Sequence, residues 1–286
     1  MFDRFANGFH LAKQSWNVLK TDKHLLVFPL LSGICCILVM ATFAIPLFAS
    51  GAVETAFAGD DGAGDPMQNP LYLAVLFVFY FVNYFVIVFF NSALIACAVK
   101  RFYGERPTIG EGISASMARL PQIAGWALVS ATVGLVLRVI ESRSEKVGAI
   151  VSSLLGMAWS AATFFVVPVL VIEKLGPIAA VKRSGQILKS SWGEAFAGNG
   201  TIGFFCFLAM LPCIGMIIGG VVLATGDLAI VGFVLIAIGA AGILVVSLIS
   251  SALSAIIQAA VYMYGSNGEA PDGFESTTLT SAFAAR

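Results

Sequence analysis

The most constraining feature of the sequence is an uncharged apolar run from Leu25 to Ser50. About 20 apolar residues in a helix, at 1.5 Å each, cross the roughly 30 Å hydrocarbon core of a bilayer. Four further runs of similar or greater length and one shorter run follow. We therefore predict an all-α, polytopic helical membrane protein with about six transmembrane helices. The predicted spans are 25–50, 71–99, 120–140, 148–172, 198–224 and 228–264.

The predicted spans belong to a single integral membrane domain, residues 1–264, and residues 265–286 form a cytoplasmic tail. The composition agrees, since 59% of the residues are hydrophobic and only 11% are charged, whereas a soluble domain carries about 25% charged residues. The net charge is zero and no nucleic-acid-binding motif occurs, so we expect no nucleic-acid partner. All five cysteines lie in apolar runs without CxxC spacing, which favours buried hydrophobic packing over metal or redox chemistry.

Two amphipathic helices are predicted to lead into spans, and we call them the lead-in helices. In residues 1–20 the apolar side chains recur every three or four positions, at Phe2, Phe5, Phe9, Ala12, Trp16 and Leu19. An aromatic stripe beside basic residues is typical of a helix in the headgroup region, although packing on the same protein is compatible with it. The second lead-in helix, 177–194, places Ile178, Val181, Leu188 and Trp192 on one side. The candidate lipid or partner contacts are Lys13, Trp16, Lys20, Lys182, Arg183, Lys189 and Trp192.

Polar residues at helical spacing mark three of the spans. In these positions they bond to neighbouring helices or line a cavity, and we favour helix packing. The candidates are Asn83, Asn91, Ser152, Ser160, Ser247, Ser251 and Gln258. The sequence also contains a capping box, Thr108 with Glu111, that predicts a short helix from Ile109 towards Arg119, and Pro168 is expected to bend the fourth span.

The basic residues predict the orientation. With six spans both termini lie on one side, and that side carries thirteen basic residues against three on the other. Acidic residues divide nine to seven and do not alter the result. The positive-inside rule therefore predicts that the N and C termini are cytoplasmic, in a multipass protein of the inner (cytoplasmic) membrane.

The two lead-in helices share a sequence pattern. Leu11-Ala12-Lys13-Gln14-Ser15-Trp16 and Ile187-Leu188-Lys189-Ser190-Ser191-Trp192 each precede a span, and Ser92-Ala93-Leu94 in the second span is echoed by Ser251-Ala252-Leu253 in the sixth. The pattern favours related helical hairpins repeated in the same orientation, with chance similarity as the alternative.

The first lead-in helix, the stretch Asp22–Pro29 and the stretch Val167–Pro177 together resemble an uncharacterised prokaryotic family of six-span integral membrane proteins, the domain of unknown function 6159. The last of these stretches is also similar to the membrane domain attached to some bacterial glycerophosphodiester phosphodiesterases. The resemblance implies the fold and a membrane location, and it carries no catalytic or binding residues.

The molecular activity is therefore left to hypotheses. We favour a non-enzymatic membrane scaffold or interaction protein whose partners are membrane lipids, with a protein partner or a second copy of the chain left open. A small-solute transporter or channel is the alternative. We expect no enzyme and no cofactor, because HExxH, GxSxG and paired carboxylates at membrane depth do not occur in the sequence.

Overall fold

The computed structural model describes residues 2–49, 69–142, 147–226, 228–268 and 270–274. Side chains are described for these residues except at 2–7, 46–49, 147, 190–199 and 267. The predicted loops around 51–68 and 143–146, and the tail beyond residue 274, lie outside the described residues.

Six helices in the described part of the chain are long and apolar enough to cross a membrane, which confirms the predicted fold class. The described residues contain no strand. The helices are α1 (Phe2–Thr21), α2 (Val27–Ala49), α3 (Pro70–Phe102), α4 (Ile109–Met117), α5 (Leu120–Ser142), α6 (Val147–Ala162), α7 (Val166–Ile172), α8 (Pro177–Ala224) and α9 (Ala229–Asn267), and a short 3-10 helix, Lys23–Leu26, precedes α2.

The fourth predicted span consists of two helices, α6 and α7. The backbone leaves α-helical geometry at Thr163–Phe165, so the bend lies before Pro168 and not at it. Pro168 occupies the first turn of α7, where its missing N–H removes no helical hydrogen bond. The bend expected near Pro168 therefore lies in the turn that precedes it and includes Phe164, four residues before the proline.

The second lead-in helix and the fifth span form one continuous helix. We predicted a helix over 177–194 and a separate span over 198–224, but α8 runs unbroken for 48 residues. Glycines at 198 and 200 lie within it, because each weakens a helix by only about 1 kcal/mol and does not terminate it. At 1.5 Å per residue α8 is about 70 Å long, so much of it must lie outside a hydrocarbon core of about 30 Å.

The described chain forms two compact units. The first unit comprises Met1–Pro29, Cys97–Thr108 and Lys189–Arg286, and the second comprises Leu30–Ala96 and Ile109–Leu188.

In the first unit α1 packs against α9, and the 3-10 helix contacts both. The buried residues of α1 are apolar or small, and Leu11 and Val18 are 1% and 7% exposed. On α9 the segment from Ala255 to Tyr262 supplies most of the opposing core. The end of the sixth span is therefore packed against the first lead-in helix.

The first unit also holds the start of the tail. The Asp272 N–H donates to the Phe102 carbonyl at 3.3 Å, and the rings of Phe274 and Phe102 lie 5.6 Å apart. Phe274 is 7% exposed, so the start of the tail is docked on this unit. Leu279 and Phe283, the other large apolar residues of the tail, lie outside the described residues.

Glycines allow α8 and α9 to approach closely within the first unit. A Cβ on Gly239 would lie 2.6 Å from the Cys213 carbonyl oxygen, and one on Gly220 would lie 2.7 Å from the Gly232 carbonyl oxygen. Gly215 and Gly219, which form a GxxxG pair in the sequence, have nothing within 4 Å of such a Cβ. The close contact thus involves other glycines than those of the motif.

The second unit is built around the pairing of α5 with α6. The Trp126 and Trp159 rings stack with centroids 5.7 Å apart and an interplanar angle of 20°. A Cβ on Gly125 would lie 2.9 Å from Pro177 Cγ, so the absence of a side chain lets the start of α8 sit against α5.

Candidate membrane-surface contact site

The first lead-in helix, α1, has two distinct faces. Gly8, Leu11, Ser15 and Val18 are buried at spacings of three and four residues. Phe9, Lys13, Trp16 and Lys20 are exposed at spacings of four, three and four residues, which places them along a second face. We call these four residues the cation–aromatic face.

The cation–aromatic face combines apolar area with positive charge. Phe9 is 48% exposed although its ring lies 5.6 Å from the ring of Phe205 on α8, and Trp16 is 36% exposed, so part of each ring remains accessible. The Lys20 Nζ lies 5.5 Å from the centroid of the Trp16 ring, within cation–π range. The predicted aromatic stripe is thus the exposed side of α1, except that Leu19 is buried. Phe2 and Phe5 are not among the described side chains.

An ion pair fixes the turn between α1 and the first span. The Arg101 Nε lies 2.9 Å from the Asp22 Oδ2, and the two side chains are 25% and 16% exposed. Asp22 separates α1 from the 3-10 helix, and Arg101 lies in the last turn of α3. This pair therefore holds α1 in a set direction relative to the end of the second span.

At the start of α8, in the second unit, two adjacent basic residues have different environments. Lys182 is exposed, but the Arg183 Nε donates to Glu173 Oε1 at 2.8 Å. The buried positions here are Ala180, Ser184, Ile187 and Leu188, and Ile178 does not join them because it is 82% exposed. Arg183, predicted as a lipid contact, is thus a partner of Glu173, whereas Lys182 projects to the surface.

Two further predicted contacts lie later in α8. Lys189 is exposed. The Trp192 side chain lies outside the described residues. In the shared lead-in pattern, Leu11 and Ile187 are both buried and Lys13 and Lys189 are both exposed, whereas Ala12 is half-buried and its counterpart Leu188 is buried.

The predicted polar positions of the spans have varied surroundings. The Asn83 side-chain amide donates to the Phe79 carbonyl of its own helix at 2.9 Å. Three of the serines, Ser160, Ser247 and Ser251, are exposed, and Asn91, Ser152 and Gln258 are half-buried. The described hydrogen bond of Asn83 is therefore local to α3, and half of the remaining positions face outwards.

Two buried serines outside the predicted set form hydrogen bonds between helices in the described part of the second unit. Ser116 Oγ donates to the Phe89 carbonyl at 3.0 Å and connects α4 to α3. Ser184 Oγ donates to the Ala162 carbonyl at 2.7 Å and accepts from the Phe165 N–H at 3.0 Å. Ser184 thereby pairs backbone groups at the break between α6 and α7.

The sequence pattern predicts the buried position of Ser184 but not its hydrogen-bond partners. Ser184 lies four residues before Leu188 and three before Ile187 on a helix predicted to be amphipathic, so its position on the buried face was accessible from periodicity. The partners of Ser184 could not be predicted in this way, because no glycine or proline lies between Ala162 and Phe165 to indicate that the helix breaks there.

One family matches the chain, a family of unknown function designated DUF6159, over residues 70–273. The match contains five of the six candidate spans and most of the described tail. It begins at Pro70, so α1 and the Asp22–Pro29 stretch lie outside it. No curated protein and no solved structure matches the chain, and these comparisons give no support for the local similarity to glycerophosphodiester phosphodiesterases. Because the match covers more than half of the sequence, the chain belongs to the DUF6159 family.

Proposed function

We propose that this multipass protein is a non-enzymatic scaffold of the cytoplasmic membrane that binds anionic lipid headgroups through its lead-in helices. The observation that carries the proposal is the cation–aromatic face of α1. Exposed Phe9 and Trp16 alternate along it with Lys13 and Lys20. Aromatic rings suit the depth of the headgroups, and lysines attract their phosphates.

The burial pattern of α1 supports this role. Because Leu11, Ser15 and Val18 are already covered by protein, the cation–aromatic face is the side left for another surface. The Asp22–Arg101 ion pair sets the direction of α1 at the end of a span, where headgroups lie. Each lysine near an anionic surface contributes about 1 kcal/mol, and this attraction weakens as salt shortens the screening length.

The orientation belongs to the same proposal. The basic residues at the end of α3, Lys100 and Arg101, lie in the first unit with Lys13, Lys20 and Lys23. The count of thirteen basic residues against three supports a cytoplasmic location for this end and for both termini.

The test compares anionic with neutral lipid around the intact protein. The protein is reconstituted in bilayers of phosphatidylcholine, and electron paramagnetic resonance of spin-labelled phosphatidylglycerol and phosphatidylcholine gives the relative association constant. We expect phosphatidylglycerol to be preferred several-fold, and the preference to fall towards one in the Lys13→Gln, Lys20→Gln, Lys182→Gln variant. The matched control replaces the same lysines by arginine, keeps the charge and should keep the preference.

An unchanged preference in the glutamine variant would overturn the lipid-binding proposal. The alternative, a small-solute transporter or channel, has less support because Asn83 bonds within its own helix and three of the polar serines are exposed. Solute flux in liposomes that is lost in Asn91→Ala, with the fold intact, would favour the alternative.

A further inference from the structure

An apolar groove lies between the ends of α2 and α3 in the second unit, at the ends of the first two spans that are remote from Lys23 and Lys100. Its volume is about 920 Å³. The wall is made chiefly of apolar side chains, among them Met40, Phe43, Ala44, Tyr72, Val75 and Phe79.

Two of the few polar side-chain atoms at the groove already have partners. Thr42 Oγ1 donates to the Leu38 carbonyl at 2.8 Å, and Asn69 Oδ1 accepts from the Leu71 N–H at 2.9 Å. Water in such a groove would have few partners, and an empty groove would forfeit the dispersion contacts of its walls. An apolar occupant fits it best.

The length of the groove indicates what kind of apolar group fits it. The rings of Phe43 and Phe79, both in the wall, are 5.4 Å apart and lie edge to face. From Asn69 to Phe79 the helix rises about 15 Å, which is about half of the roughly 30 Å hydrocarbon core. The groove thus runs the depth of one leaflet along a span.

Access is from the bilayer. Leu71 is 71% exposed and Val75 is 39% exposed, and both belong to a helix apolar enough to cross a membrane. Tyr72, in the first turn of α3, is the kind of residue found at the level of the headgroups.

We propose that this groove binds one acyl chain of a phospholipid from the leaflet opposite the basic end of the spans. The chain enters between α2 and α3 and extends towards Phe43 and Phe79. The proposal does not depend on the binding of anionic headgroups by α1, because the groove residues carry no charge.

The experiment uses the full-length protein in bilayers of phosphatidylcholine that contains a photoactivatable diazirine in the middle of one acyl chain. After irradiation, mass spectrometry locates the labelled residues. We expect labelling at Val75 and Phe79 to exceed several-fold the labelling at Leu154 and Met157. These two residues are 57% and 59% exposed on α6 and report lipid that is not held in a groove.

A groove-filling variant provides the second arm. Ala44→Trp should reduce labelling at Val75 and Phe79 several-fold and leave Leu154 unchanged. Its matched control is Ala158→Trp, the same substitution on the exposed surface of α6, which should leave the groove labelling unchanged. If Ala44→Trp fails to fold, the distribution of label in the wild-type protein decides alone.

Two results would overturn the proposal. One is labelling in proportion to exposure, with Leu154 and Met157 equal to or above Val75, which would mean ordinary contact with bulk lipid. The other is absence of label at Val75 and Phe79, which would mean that another part of the chain fills the groove. Because the lipid is zwitterionic, neither result bears on the anionic-lipid proposal.

Discussion

At the scale of single residues, the Ser184 hydroxyl forms two hydrogen bonds with buried backbone groups. Its hydroxyl both donates to the Ala162 carbonyl and accepts from the Phe165 N–H, while the residue itself is fully buried. A hydroxyl can do both at once, which an alanine or valine in the same space cannot. A buried backbone group left without a partner costs more than the bond itself gains.

We therefore expect Ser184→Ala to lower the free energy of unfolding by about 1–3 kcal/mol, the penalty for unpaired buried groups. Reversible unfolding in mixed detergent micelles measures it. The matched control is Ser160→Ala, at an exposed serine of α6, which should change stability by less than about 0.5 kcal/mol. Equal effects at the two serines would contradict the role given to Ser184.

Arg183 and Lys182 are adjacent basic residues with different expected roles. Arg183 is 37% exposed and pairs with Glu173, which is 25% exposed, so Arg183→Gln and Glu173→Gln should each reduce stability by up to about 1 kcal/mol. The double variant should cost less than the sum, because both single changes remove one interaction. Lys182→Gln should leave unfolding unaffected and reduce the preference for anionic lipid, measured as above.

At the scale of helices, the apolar runs predicted all six spans because lipid demands an uncharged helix of a set length. Their ends agree within about three residues where one helix forms the span, as in α3 and α5. Periodicity in α1 found an aromatic stripe but could not assign it to protein or lipid, since both environments are apolar. The residues at which the chain breaks before Pro168 were not predicted, because Ser184, whose hydroxyl pairs with backbone groups of Ala162 and Phe165, is distant from them in sequence.

The packing of α8 against α9 provides a prediction about helix contacts. Because a Cβ on Gly239 would approach the Cys213 carbonyl oxygen to 2.6 Å, Gly239→Ala must push the helices apart. We expect a loss of about 1–3 kcal/mol in unfolding free energy, the usual range for overpacking. Gly215→Ala is the control within α8, as nothing lies within 4 Å of its Cβ. A loss at Gly215 as large as at Gly239 would reject this helix contact.

At the scale of the whole molecule, the sequence predicts more about position in the membrane than about activity. The difference in the number of basic residues between the two sides is summed over the entire chain, so an error in the boundary of one span does not reverse the predicted orientation. The candidate site is different, since it required side-chain environments: Lys13, Trp16 and Lys182 are exposed as a contact site needs, whereas Arg183 is paired. Residue type alone did not separate these cases.

The proposal that the lysines contact cytoplasmic headgroups depends on the predicted orientation. Thirteen basic residues on one side against three on the other favour cytoplasmic termini, since lysine and arginine resist translocation. A fluorescent protein fused after Arg286 should therefore fluoresce in a bacterial host, and alkaline phosphatase at the same site should be inactive. Alkaline phosphatase inserted after Asp60, between the first two spans, should be active. The reverse pattern would place Lys13, Lys20 and Lys182 outside the cell and exclude cytoplasmic headgroups as their partner.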